Sequence, residues 1–240
     1  MLNIVIPMAG AGSRFRTQGY ILPKPFIDVC GKMMIERVLD AVQLPNCHYT
    51  LIIQKDFEIK NHTQLVNLSN NFNVVYITVN HLTQGACCTA LAAHELINND
   101  IPVLFIDSDN IFKRNVIRNF VKDSFQRNLD ASLLTFKSQN DCFSYASINE
   151  NGFVTQTKEK EVISNHAICG AYMFKHGRDF VKYAIEMIIY GDKTKSEYYM
   201  SNVYNYLIKD GYNVGIFDIA ESDWDCVGTP EQLKNYLNKL

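Results

Sequence analysis

A chain of 240 residues has room for one sizeable α/β core, and with 47% hydrophobic and 20% charged residues it has the composition of a globule, not of a disordered tail or a fibrous repeat. The 23 Lys and Arg are balanced by 25 Asp and Glu, a formal charge of -2, which excludes a bulk basic field for nucleic acid or an anionic membrane surface. No run approaches the roughly 18 apolar residues of a membrane span, and the opening MLNIVIPMAG lacks a basic n-region, so the expectation is a cytoplasmic protein.

Leu2 to Pro7 is a short apolar run closed by Pro7 and followed by Gly10 and Gly12, the pattern of a buried parallel strand feeding a loop. Runs of the same kind recur at Tyr49 to Ile53, Val74 to Val79 and Val103 to Ile106. Helical spacing lies between or after them at Met33 to Leu39, Gly85 to Leu96 and Asn115 to Phe125. This alternation predicts an α/β fold with a doubly wound, mostly parallel sheet. Past residue 130 the rhythm becomes strand-rich: Ala131 to Phe136, then Tyr145 to Asn149 and Phe153 to Gln156 joined by an Asn151-Gly152 hairpin turn. A strand at Ala167 to Phe174, helices at Arg178 to Ile189 and Tyr199 to Lys209, and a strand at Val214 to Asp218 follow. Thr229-Pro230-Glu231 opens a last helix, with Thr229 as N-cap. Without a linker or repeat, residues 1–240 are expected to form one domain of two lobes, 1–130 and 131–240, the second completing the sheet and walling a cleft.

The loop Met8-Ala9-Gly10-Ala11-Gly12-Ser13 lets backbone N–H groups approach a ligand closely, as a phosphate or nucleobase cradle does; its other reading is a strand-to-helix turn. A dinucleotide fingerprint would need Gly where Phe15 stands. Arg14 follows the glycines, and Lys24 sits between Pro23 and Pro25 on what should be stiff, non-helical backbone. The strand ending at Ile106 runs into Asp107-Ser108-Asp109-Asn110, carboxylates where open α/β sheets bind ligands and of a kind that suits Mg²⁺, although a solvated turn reads the same way. The seven cysteines form no C-x-x-C pair and the six histidines no metal-ligand spacing.

Gly10-x-Gly12-Ser13-Arg14-Phe15, Pro23-Lys24-Pro25 and Ile27 to Ile35 together resemble the N-terminal signature of sugar-phosphate nucleotidyltransferases, the nucleoside-diphosphate-sugar pyrophosphorylases, a signature shared by phosphocholine-type cytidylyltransferases. The resemblance implies a Rossmann-like nucleotidyltransferase fold with a nucleotide-binding half at 1–130 and an acceptor-side half, the acceptor-binding lobe, at 131–240. It implies that the Gly-rich loop wraps a nucleoside triphosphate, that Arg14 holds the phosphates, and that Lys24 bridges the α-phosphate and an acceptor phosphate. Gln84 and Gly85 would read the base; Glu159, Lys160, Gly170 and Glu197 would face the acceptor, a phosphomonoester. Mg²⁺ would be held by Asp109 and by a second carboxylate, Asp225, because Asp225-Cys226-Val227 suits the cytidylyltransferase spacing, with Asp223 left open as the alternative. Cys226 itself stands where many members have the second Asp. The implied reaction transfers a nucleoside monophosphate, from CTP for preference, to a phosphorylated alcohol, amide or sugar for a surface or capsular polysaccharide. No nucleic-acid or membrane partner is expected, and self-association is left open. Two rivals stand beside it: a metal-dependent glycosyltransferase using Asp107-x-Asp109, and a nucleotide-binding protein without chemistry.

Overall fold

The computed structural model describes residues 1–239. Its central sheet has nine strands: β1 (Leu2–Pro7), β2 (Cys47–Gln54), β3 (Val74–Val79), β4 (Val103–Ile106), β5 (Ala131–Lys137), β6 (Ser144–Ile148), β7 (Val154–Glu159), β8 (His166–Phe174) and β9 (Val214–Ile219). The order is β7-β6-β8-β4-β1-β2-β3, with β5 also along β8 and β9 paired to β5. Strands β1 to β4 pair in parallel, the doubly wound half expected from the sequence, and β8 enters antiparallel to β4.

Alternation along β1 shows why the sheet is covered on both faces. Ile4 and Ile6 point into one apolar cluster and Val5 into the other. The first face is packed by α1 (Met34–Ala41), α2 (His62–Asn71) and α3 (Val116–Gln126) through Ile35, Leu68 and Phe120. The second is packed by α4 (Gly177–Ile189) and α5 (Met200–Lys209) through Phe180 and Val203. The last helix, α6 (Pro230–Leu237), opens as expected, with Thr229 Oγ1 accepting from Gln232 N at 3.1 Å.

The differences from the sequence reading are local. The helix expected over Gly85 to Leu96 is broken into Ala86–Ala90, a 3₁₀ turn Leu91–Ala93 and His94–Ile97. The helices Lys55–Lys60 and α2 were not foreseen, because their mostly polar residues hide the Leu65 and Leu68 pair that α2 buries. Strand β7 runs three residues beyond Gln156, as far as Glu159. Lys24 takes a single 3₁₀ turn, Lys24–Phe26, instead of non-helical backbone. A two-stranded ribbon was missed altogether: Asn110–Phe112 pairs antiparallel with Trp224–Cys226, tying the end of the chain to the turn after β4.

Strand β8 positions the site. Its Ala171 to Phe174 stretch pairs with β4, and Ala167 and Ile168 pair with the start of β6. Cys169 and Gly170 lie in the gap between these two partners, where the register with β5 also breaks. Asp107 N still donates to Gly170 O at 2.9 Å, and past that bond the carboxyl end of β4 opens onto a notch.

Candidate active site

A cavity of about 560 Å³ occupies that notch, within the usual range for a small-molecule site. One wall is the loop after β1, Met8 to Ser13, followed by Arg14. Gly12 has φ +59°, a left-handed conformation that starts the short helix Ser13–Arg16, and the buried ring of Phe15 anchors that helix beneath an exposed Arg14. Gln54, at the carboxyl end of β2, donates from Nε2 to Ala9 O at 2.6 Å and fixes the loop from behind. Phe26, buried and edge-on to Phe57, anchors the Lys24 turn.

Lys24 Nζ reaches across the cavity floor to Asp109 Oδ2 at 2.6 Å. Asp107 lies on the same floor; burial and then the neighbouring Asp109 charge push its pKa up, against the opposing pull of Lys24. Gly170 has φ +74°, and a Cβ there would lie 2.0 Å from Asn110 Nδ2 and 2.6 Å from Asp107 Oδ2, so only glycine lets β8 pass so close to this turn.

The far wall carries Glu159 and Glu197. Glu159 is buried and accepts hydrogen bonds from Ser144 Oγ and from Ser201 Oγ, the latter at 3.1 Å. Burial raises its pKa, and Glu197 adds to that, while the two serines and Lys160 act the other way. Glu197 closes a tight turn, exchanging both backbone hydrogen bonds with Thr194 at 3.0 Å. Gly85 lies under this segment with φ +111°; a Cβ would meet Tyr198 O at 2.6 Å.

Three expected residues are placed elsewhere. Asp225 does not line the cavity: on the ribbon, side chains alternate, so Trp224 and Cys226 face inward while Asp225 pairs with Lys239 Nζ at 2.5 Å. Asp223 is no substitute, since it faces Lys113 Nζ at 3.8 Å. Gln84 has an exposed side chain off the cavity wall, and its contribution is its carbonyl, which accepts from Tyr198 N at 2.8 Å. Lys160 stands behind the wall, with φ +55°, donating to Tyr199 OH at 3.1 Å. Burial disfavours its charge, but Tyr199, Glu159 and Glu197 outweigh that and hold its pKa above the ordinary lysine value.

The family model described as Nucleotidyl transferase matches residues 4–240. The chain belongs to the nucleotidyl transferase family. Among curated relatives it is 24% identical to the bifunctional protein GlmU of Clostridium kluyveri over 98% of this chain and 53% of that protein. It is 25% identical to GlmU of Clostridium perfringens over 91% and 48%. The chain thus spans about half the length of the curated relatives it matches. Among solved structures, a nucleoside-diphosphate-sugar pyrophosphorylase from Vibrio cholerae superposes with a TM-score of 0.84 at 23% identity, covering 98% of this chain and 99% of the other. The inositol-1-phosphate CTP transferase of T. maritima gives 0.76 at 13% identity, covering 99% and 96%.

Within this member of the family, sequence reading missed Gln54, Ser144 and Trp224. Gln54 had a usable signal, since it ends a parallel strand beside the Gly-rich loop, where such sheets gather their ligand contacts. Ser144 had none: it meets Glu159 only through the pairing of β6 with β7.

Proposed function

We propose that the chain transfers a nucleoside monophosphate from a nucleoside triphosphate to a small phosphomonoester and releases pyrophosphate. The observation that carries this reading is the Lys24 to Asp109 contact on the floor of a cavity whose wall is the Gly-rich loop. A cation and a hard carboxylate side by side, next to free backbone N–H groups, suit a reaction whose difficulty is the meeting of two polyanions. An acceptor phosphate with a second pKa of about 6 is largely dianionic at neutral pH and needs no general base. Arg14 and the loop would hold the triphosphate, and Lys24 would move from Asp109 to the phosphates as charge builds at the reacting phosphorus. Glu159 and Glu197 would receive the hydroxyl or amine groups of the acceptor, with Lys160 and Gly170 on the same side.

Mg²⁺ is the proposed metal, and the site fits it: Asp109 offers hard oxygen, and the absent side chain of Gly228, whose Cβ would lie 2.5 Å from Asp109 Oδ2, leaves the carboxylate room. When bound, such an ion withdraws charge from phosphate oxygens. CTP remains the triphosphate proposed first. Its original ground, the spacing of Asp225, falls with Asp225 outside the cavity, and the fold shared with an inositol-1-phosphate CTP transferase is what supports it. The acceptor classes are phosphorylated alcohols, amides and sugars, and the product would serve a surface polysaccharide in the cytoplasmic stage of its synthesis.

Asp107 and Asp109 both line the cavity, which keeps a glycosyltransferase as the second reading. Pyrophosphate release, screened with four triphosphates against a panel of phosphomonoesters, tests the proposal. Release that depends on one triphosphate and one acceptor class supports it; none with any pair, alongside turnover of a nucleotide sugar, overturns it.

A further inference from the structure

We infer that the cation site of this chain is built from the single turn after β4, with Asp107 as the second carboxylate beside Asp109, and that the C-terminal ribbon supplies no ligand. This rests on the reading of the cavity as the triphosphate site and identifies the residues that meet its metal.

The ribbon is excluded residue by residue. Asp225 shares a face with Ile111, its register partner, and is paired with Lys239; Asp223 faces Lys113. Cys226 does face the cavity, but it presents sulfur where a hard ion wants oxygen, and its thiol donates to Gln232 Oε1 at 3.5 Å. The turn after β4, by contrast, gathers hard oxygen. Asp107 and Asp109 both line the cavity. Asn110, 5% exposed, borders the cavity beside them, but its Oδ1 is sealed from it and has no hydrogen-bond partner among the described residues, so the hard oxygen on offer is that of the two carboxylates. Two glycines back these groups: a Cβ on Gly170 would strike Asn110 and Asp107 Oδ2, and one on Gly228 would strike Asp109 Oδ2. One or two carboxylates with the rest of the shell left to phosphate and water is the usual protein share for Mg²⁺.

The chain has one tryptophan, Trp224, on the cavity wall, so quenching of its fluorescence by Mn²⁺ reports binding at this place without any turnover. Mn²⁺ is titrated into the intact protein and into Asp107→Asn, Asp225→Asn and Cys226→Ala, each first checked for a cooperative melt. Asp107→Asn should weaken Mn²⁺ by roughly one to two decades, the loss of one charged contact. Asp225→Asn and Cys226→Ala should leave the affinity within experimental scatter. Unchanged affinity in Asp107→Asn overturns the inference, as does weakening by Asp225→Asn of the size expected for Asp107. A sulfur-to-Cd²⁺ absorption band abolished by Cys226→Ala would give the second position to the thiol and overturn it too. If Asp107→Asn does not fold, Asp107→Ser removes the same charge with less volume and is read the same way. Mn²⁺ binding as stated in a protein that releases no pyrophosphate would sink the proposed reaction and leave this assignment standing.

Discussion

Lys24 Nζ and Asp109 Oδ2 lie 2.6 Å apart across 85 residues of sequence. Each is partly buried, so the pair is held by packing more than by its own attraction: Phe26 fixes the lysine turn, and Val227 N, donating to Asp109 O at 2.8 Å, fixes the aspartate. Lys24→Ala should therefore fold, yet lower kcat by roughly 10² to 10³, the usual loss for one preorganised electrostatic donor. It should also tighten Mn²⁺ alone, because the carboxylate loses its competing ammonium. Near-normal turnover in the folded variant would remove Lys24 from the chemistry.

Gly170 and Gly10 make a contrasting pair. Gly170→Ala forces a left-handed residue and drives a methyl into Asn110 and Asp107, and should destabilise the protein by about 2 to 4 kcal/mol. Gly10→Ala meets nothing within 4 Å among the described residues and should leave the denaturant midpoint unchanged. If the loop closes on a triphosphate, Gly10→Ala should nevertheless raise the KM for it. Equal stability of the two variants would show that β8 does not approach the turn as described.

The turn that carries Glu197 places two ordinary residues in left-handed backbone, Lys195 at φ +49° and Ser196 at φ +72°. Such hairpin turns favour Asn-Gly, and a non-glycine residue costs roughly 1 to 2 kcal/mol there. After the extra freedom of glycine in the unfolded chain is subtracted, Ser196→Gly should stabilise by about 0.5 to 1 kcal/mol. Urea denaturation measures this, and a lowered midpoint would contradict the turn.

Asp218 supplies a pH test away from the cavity. Burial alone would raise its pKa, but Thr135 Oγ1 at 2.7 Å, His166 Nδ1 at 3.0 Å and Lys137 Nζ at 2.9 Å outweigh it and hold the carboxyl below its ordinary value. A depressed folded pKa means stability that is present above the unfolded value, near pH 4, and lost as pH falls through the folded one. Asp218→Asn should be less stable than the parent at pH 7, by at most about 1 kcal/mol for so accessible a group, and the gap should close below pH 4. A gap that widens in acid would reverse the sign and refute the assignment.

What the sequence determined by itself was what repeats or is contiguous: the parallel strands as apolar runs, the Asn151-Gly152 turn, the Thr229 cap, and the short stretches that carry the Gly-rich loop, Lys24 and Asp109. Each is a local signal, set by backbone sterics or by a side chain's own period, and each survives in the fold. Two decisions needed the tertiary structure. Asp225 and Cys226 are adjacent in sequence and look interchangeable as ligands, but pairing of Trp224–Cys226 with Asn110–Phe112 fixes a register of period two, which turns one into the cavity and the other toward Lys239. Glu159 gains its serine partners, and Lys160 its tyrosine, only where β7, β6 and α5 converge, because long-range packing, unlike a turn or a cap, leaves no trace in neighbouring residues.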